Sequence, residues 1–382
     1  MDEYADIRPY NDTEFPEILE RLLKEPDLVK GLAQFAKPGW KGPLRLLARS
    51  LVRWRLQKDL SGLESIAEFQ QWLAGYVEQI LTKTTESLTV SGVEALDPTQ
   101  NYLWFSNHRD IALDPTLVNF SLHQHQWPTG RIAIGDNLLT NPVVGDLMRL
   151  NKSFIVKRSV TGKREKLSAL QLLSKYIRHS IAEGESVWLA QREGRAKDGV
   201  DETDTAVLKM LSLAGRSEKE SFEVSLRALN LVPVSISYEF DPCDLLKARE
   251  LAAIDAGKDY RKTEDEDVIS IVTGLMGDKG RVHVHFGQIP GVTSFQSAND
   301  LAQNIDDQIV AGYQCYEVNY AAHKMLAKHG KVAALEEYPE CSDAHQWLLK
   351  RAAEESEDVR IQLYSMYAQP VIRKESLNVS CK

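Results

Sequence analysis

Between residues 86 and 289 the chain repeats one pattern, a short apolar run followed by a longer stretch of helical periodicity. The runs are LTVSGV, YLWFS, RIAIG, SFIVK, SVWLAQ, LVPVSISYEF and RVHVHFGQI. Each is rich in β-branched or aromatic residues and bounded by polar ones, as a buried strand is. Between the fourth and fifth runs, Leu167, Leu170, Leu173, Ile177 and Ile181 recur at three- and four-residue steps, with Gly184 just past the end. That spacing predicts a helix over 165–183 with a glycine stop. Strands separated by helices long enough to cross a sheet argue for an α/β fold. The expected architecture is a mostly parallel central sheet flanked by helices, with helical N- and C-terminal extensions.

The flanks read differently. Residues 1–85 are predicted helical. Phe15, Ile18, Leu19 and Leu22 mark one helix over 14–24, the breaks at Lys37-Pro38-Gly39 and Gly42-Pro43 mark a turn, and 65–82 forms a further helix. Residues 44–56, LRLLARSLVRWRL, place Arg45, Arg49 and Arg53 on one face and leucines largely on another. This reads first as a surface helix packed on its own domain, and second as a basic amphipathic helix for anionic lipid. A helical excursion is expected over 239–278. Residues 291–382 return to helices, with Ser297 or Asn299 and then Ser342 as caps and a frayed tail over 372–382. The expected division is 1–85, 86–290 and 291–382.

Charge and cysteines narrow the function. A net charge of -9 argues against general nucleic-acid binding, so any basic patch is local. The acidic opening MDEYADIRPY is unlike a secretory leader, and no apolar stretch is long enough to span a bilayer. Cys243, Cys315, Cys341 and Cys381 are scattered, which suggests a reducing compartment and no thiol-based metal site. A cytoplasmic protein is expected, touching the inner face of a membrane through 44–56.

The chemistry concentrates in NYLWFSNHRDIALDPT, residues 101–116. An apolar strand breaks into Ser106-Asn107-His108-Arg109-Asp110, and Asp114-Pro115 then reads as an N-cap with proline at the first helical position. A histidine is thereby delivered to a loop between strand end and helix start, where α/β sheets carry their sites. His108 is a candidate general base oriented by either Asp110 or Asp114. Lys157 and Arg158 follow the strand SFIVK and offer charge-assisted bonds to phosphate, whereas Lys163, Arg164 and Lys166 read as a solvated loop. Gln191-Arg192-Glu193-Gly194-Arg195 follows another strand, with a glycine that lets backbone approach a ligand. Pro233 suggests an edge strand or bulge. His123-x-His125 and His283-x-His285 each put two imidazoles on one face of a strand but lack further ligands in metal spacing. Thr161-Gly162-Lys163 lacks the upstream glycine of a P-loop.

Taken in this order the pieces resemble the glycerolipid acyltransferase superfamily, the glycerol-3-phosphate and lysophosphatidic acid acyltransferases. Asn107-His108 with Asp114-Pro115 is similar to that family's N-H-x4-D block, here one residue longer. Phe154-Ile155-Val156-Lys157-Arg158 resembles the strand with a basic residue. Glu193-Gly194-Arg195 resembles E-G-x-R, one residue shorter, and Val232-Pro233-Val234 the V-P-[VI] strand. Residues 280–287 look like the sheet-closing strand of glycerol-3-phosphate acyltransferases. The resemblance implies transfer of a fatty acyl group from acyl-CoA or acyl carrier protein to the hydroxyl of a phosphorylated glycerol or lysolipid acceptor. It implies His108 and Asp114 as the catalytic pair. Asn107, Arg109, Lys157, Arg158, Glu193, Gly194 and Arg195 would bind substrate, with neither metal nor cofactor. The altered spacings leave open a non-catalytic acyl-lipid or acyl-carrier binding protein, and the same base acting on water would make a thioester hydrolase.

Overall fold

The computed structural model describes residues 2–26, 29–30, 43–139, 141–258, 260, 263, 265–291 and 295–377. Lys37-Pro38-Gly39 and Gly42 lie outside these residues. In chain order come α1 (Phe15–Lys24), α2 (Pro43–Leu60), α3 (Ile66–Thr84), β1 (Ser87–Ser91), β2 (Leu103–Ser106), α4 (Leu113–Gln124), β3 (Arg131–Gly135), α5 (Pro142–Leu150), β4 (Ser153–Val156), α6 (Lys163–Ala182), β5 (Val187–Ala190), α7 (Thr205–Leu211), α8 (Phe222–Arg227), β6 (Leu231–Tyr238), α9 (Asp244–Asp255), α10 (Glu266–Met276), β7 (Arg281–Phe286), α11 (Ala298–Ala311), α12 (Glu317–Lys328), α13 (Ser342–Arg351) and α14 (Glu357–Ser376). Every apolar run named above contains a strand. The chain divides into two compact units, Met1–Glu78 with Gly130–Tyr176, and Gln79–Thr129 with Ile177–Lys382.

In the first unit β3 pairs with β4 in parallel. Its apolar cluster joins Phe15, Ile18, Leu19 and Leu22 of α1 to Leu56 and Leu60 of α2, Phe69 of α3 and Leu150 of α5. The three- and four-residue spacing on α1 puts its four apolar side chains on one stripe, and all four are buried. On α2, Leu56 and Leu60 face that cluster while Leu46, Leu51 and Trp54 are exposed.

The second unit holds strands in the order β1-β7-β6-β2-β5. β2 lies between β6 and β5, parallel to both, and β1 runs parallel to β7. Only β6 and β7, among these described pairs, run antiparallel. The mostly parallel α/β architecture is therefore as the alternation implies. β2 and β6 are buried almost throughout, which is why their sequences are continuously apolar rather than alternating. β7 alternates buried Val282, Val284 and Phe286 with half-buried Arg281, His283 and His285. The C-terminal helices α12, α13 and α14 share a second cluster built on Val318, Ala321, Ala322, Leu348, Leu363 and Ala368.

Several local expectations are corrected. Pro233 is not on an edge strand, because β6 is paired on both sides. The antiparallel ladder to β7 begins only at Val234, and Pro233 contributes its carbonyl, which accepts from Gly287 N at 2.8 Å. The missing N–H thus falls where β7 has ended. His123 and His125 are not on a strand: His123 is in α4 and His125 caps it, its Nδ1 against Ser121 O at 2.8 Å. Ser297 caps α11 in a capping box with Asp300, but Ser342 is already the first residue of α13. The expected tail from 372 is helical through Ser376, because Val371 and Lys374 of α14 are buried.

Candidate active site

The C-terminal ends of β2, β5 and β6, three neighbouring parallel strands, carry the site, as expected for an α/β sheet. Where β2 stops at Ser106, Asn107 extends the ladder with its side chain. Its Oδ1 accepts from Ile236 N at 2.8 Å and its Nδ2 donates to Ile236 O at 3.0 Å. The amide thus does the work of a further strand residue, and the main chain is free to turn away with His108.

His108 Nδ1 lies 2.9 Å from Asp114 Oδ2. That same oxygen accepts from the backbone amides of Arg109 at 2.6 Å and Asp110 at 2.9 Å. The other oxygen, Oδ1, accepts from the Tyr238 hydroxyl at 2.8 Å. Asp114 is wholly buried, whereas the His108 side chain keeps 15% of its exposure. A carboxylate only accepts, so Nδ1 carries the proton and the lone pair is left on Nε2. Nε2 has no partner among the described residues. Burial, and then the neighbouring Asp114 charge, push the Tyr238 hydroxyl well above its ordinary pKa, so it remains a donor. The Trp188 ring meets the imidazole edge-on at 5.8 Å, and its Nε1 donates to Ser106 Oγ at 3.0 Å.

Of the two carboxylates left open by the sequence, Asp114 is the one bonded to His108. Asp110 instead accepts from the amides of Ala112 and Leu113, both at 2.9 Å, at the start of α4. Burial, and then Asp114, raise its pKa. The expectation that Asp114 caps the helix is corrected accordingly. α4 starts at Leu113, Asp114 sits inside its first turn, and Asp110 serves the opening amides. A tight turn at Asp110 thus joins His108 to Asp114. α10 closes over it, and Gly274 fits because any Cβ there would come within 2.2 Å of Asp110 Oδ2.

The remaining expected residues separate into groups. Asn107 and Arg109 do not turn their side chains to a ligand at His108. Asn107 is fully buried, and the Arg109 guanidinium pairs with Asp201 at 2.7 Å and donates to Gly199 O at 2.9 Å. Asp201 also accepts from Asn107 Nδ2 and from the Tyr313 hydroxyl, a buried knot under the loop. The loop of Glu193, Gly194 and Arg195 is brought to the site, since Ala196 N donates to His108 O at 2.8 Å. Gly194 has φ of 78°, a left-handed conformation that favours glycine. The Arg195 side chain has no hydrogen bond or ion pair among the described residues. Its charge reaches Cys243, whose thiol is pushed up to about 12 by burial and then by Asp241. Lys157 and Arg158 belong to the first unit, where Lys157 lies 3.4 Å from Asp6 and Arg158 N donates to Asp136.

Tyr238 and Lys247 are site residues that the sequence reading missed. Tyr238 ends a strand already singled out, and its place as the one hydroxyl on the face of Val232, Val234 and Ile236 was the available signal. Lys247, in α9, carries no local signal at all. A cavity of about 40 Å³ is lined by Arg109, Tyr238, Asp241, Tyr313 and Tyr367 among others, but not by His108 or Asp114. His283 and His285 are occupied by Thr89 and Ser91 of the neighbouring strand. No His, Cys, Asp and Glu cluster fit to hold a metal ion occurs among the described residues.

Comparison with known proteins bears on this arrangement. Residues 87–237, which contain His108, Asp114, the Glu193–Arg195 loop and almost all of β6, match the model of the family described as Acyltransferase. Dihydroxyacetone phosphate acyltransferase of Bos taurus is 25% identical over 183 residues, which are 47% of this chain and 25% of that protein. The chain thus spans about a quarter of the length of that curated relative. The crystal structure of the 1-acyl-sn-glycerophosphate (LPA) acyltransferase PlsC from Thermotoga maritima aligns with 14% identity and a TM-score of 0.36, covering 78% of this chain and 94% of that one.

Proposed function

We propose that this protein, whose residues 87–237 match the acyltransferase family and support membership of the glycerolipid acyltransferase superfamily, is an O-acyltransferase. The single observation that supports this best is the bond from His108 Nδ1 to the buried Asp114, with Nε2 left unpartnered. In the proposed reaction Nε2 takes the proton from a hydroxyl of the acceptor as the oxygen attacks the carbonyl of an acyl thioester. The tetrahedral intermediate then expels the thiolate, which takes the proton back from the imidazolium. An oxygen–carbon bond forms, a carbon–sulfur bond breaks, and a free thiol leaves. Asp114 holds the tautomer and stabilises the transient imidazolium.

The donor is an acyl-CoA or acyl carrier protein, and the acceptor a phosphorylated glycerol or lysolipid. Arg195, without a hydrogen bond or ion pair among the described residues and on the loop tied to His108, is the charge offered to that phosphate. The test is thiol release from a mixed acyl-thioester pool with glycerol phosphate and lysolipid acceptors. His108→Ala is expected to lower the rate by ~10²–10⁴-fold, the range for general base catalysis. Undiminished turnover by a folded His108→Ala variant overturns the mechanism. Release that needs no acceptor would instead identify a hydrolase.

A further inference from the structure

We propose that Lys247 is a positioning residue of the His108–Asp114 pair, acting on it through the single peptide group that joins Arg109 to Asp110. Lys247 lies in α9 and is 2% exposed. Its ammonium donates to Arg109 O at 2.6 Å and pairs with Asp241. The N–H of that same peptide is Asp110 N, which donates to Asp114 Oδ2 at 2.9 Å, the oxygen that also holds His108 Nδ1. A cation on the carbonyl of an amide withdraws electron density from its nitrogen and strengthens the N–H as a donor. The order from α9 to the imidazole is therefore ammonium, peptide, carboxylate, ring.

This arrangement answers a difficulty in the site. Among the described residues the donors that Asp114 receives are an imidazole N–H, two backbone amides and a phenol, and none is a lysine or arginine side chain. Burying a carboxylate removes solvation that hydrogen bonds and nearby opposite charge must replace. Lys247 supplies the opposite charge one peptide away, where it can polarise the loop without competing with His108 for the carboxylate. Asp241, on the cavity lined also by Tyr238, fixes the ammonium from its other side.

The proposal rests on the reading of His108 as the base, and its test separates the two. In protein carrying ¹⁵N-labelled histidine and backbone, Asp110 N–H is expected downfield and slow to exchange, with His108 in its Nδ1–H tautomer. The paired substitution Lys247→Met with Asp241→Asn removes both charges of that ion pair together, so neither partner is left ionised alone. It is expected to lose the Asp110 shift, to mix the His108 tautomers, and to lower kcat for thiol release ~10-fold (~1.4 kcal/mol) with KM for the thioester unchanged. Lys247→Arg, which keeps the charge, is expected to retain all three. A purely structural lysine would change the unfolding midpoint and leave the ring and amide signals of the folded protein where they were. That result overturns the proposal. If the double variant does not fold, the wild-type amide decides: an Asp110 N–H at an ordinary shift with free exchange also overturns it. Wild-type protein with the expected signals and no thiol release refutes the acyltransferase reading alone.

Discussion

At the scale of single residues, the site shows what spacing can and cannot convey. His108, Asp114 and the Glu193–Arg195 loop were legible because their chemistry is rare, local and placed at strand ends. The residues alone left Asp110 and Asp114 both open and only the resemblance favoured Asp114, since the choice depends on whether a turn of four residues tightens enough to hand the opening amides to Asp110. Tyr238 and Lys247 reach the pair from 124 and 138 residues away in sequence, and only tertiary packing brings them there. The same packing leaves one carboxylate at a disadvantage. Asp306 of α11 accepts from Thr203 N at 2.9 Å and Thr203 Oγ1 at 2.6 Å, both on one oxygen, and burial still pushes its pKa up to about 6 from 3.8. A raised acid favours the folded state below the unfolded pKa and loses that contribution as pH rises through the folded one. Asp306→Asn keeps the accepting oxygen and removes the charge. It is expected to stabilise the protein by about 1–2 kcal/mol at pH 8, with the gain vanishing by pH 4, as thermal unfolding across that range would measure.

At the scale of elements, periodicity located the strands and most helices because buried apolar faces set both. Element ends were less legible, as with Ser342 and α14, where burial of a late turn outweighed polar composition. Pro233 misled for a similar reason: its missing N–H is harmless wherever the partner strand has already stopped, and strand lengths are not written in the proline. Lys279 belongs to the same class of hidden feature. Fully buried, its ammonium donates to Thr84 Oγ1 at 2.8 Å, at the end of α3, and to the carbonyls of Leu275 at 3.1 Å and Gly277 at 2.8 Å, at the end of α10. One side chain therefore bridges two helix C-termini, bonding a hydroxyl on α3 and two carbonyls at the end of α10, where carbonyls lack intrahelical partners. Thr84 also donates to Ile80 O, so it retains a bond when the lysine is lost. The two carbonyls do not. Lys279→Met is expected to lower stability by about 1–3 kcal/mol, read as a fall in denaturant midpoint with unchanged slope.

At the scale of the whole molecule the question is how a chain of net charge -9 would meet a lipid substrate of the proposed kind when no described helix is long and apolar enough to cross a membrane. Average charge opposes approach to an anionic surface, but screening confines each charge to within ~10 Å at 0.1 M salt, so a local patch decides. α2 is that patch in sequence, PLRLLARSLVRWRLQKDL, with five basic residues and one acidic. Its faces are already divided. Leu56 and Leu60 are committed to the first unit's cluster, while Leu51 at 51% and Trp54 at 58% exposure, three residues apart, share a second apolar face. The surface-helix reading holds for the face of Leu56 and Leu60, and we propose lipid contact for the face of Leu51 and Trp54. Each basic residue near an anionic surface contributes ~1 kcal/mol, and indole and leucine side chains add apolar burial at the interface. The protein is expected to co-sediment with vesicles containing anionic phospholipid at low salt, with a blue shift of Trp fluorescence, and to bind phosphatidylcholine vesicles weakly. Leu51→Glu with Trp54→Glu should abolish sedimentation and leave turnover of short-chain, water-soluble thioesters intact, because neither side chain belongs to the proposed His108–Asp114 pair. Equal binding by the double variant, or none by the wild type, would remove α2 from the route to the substrate.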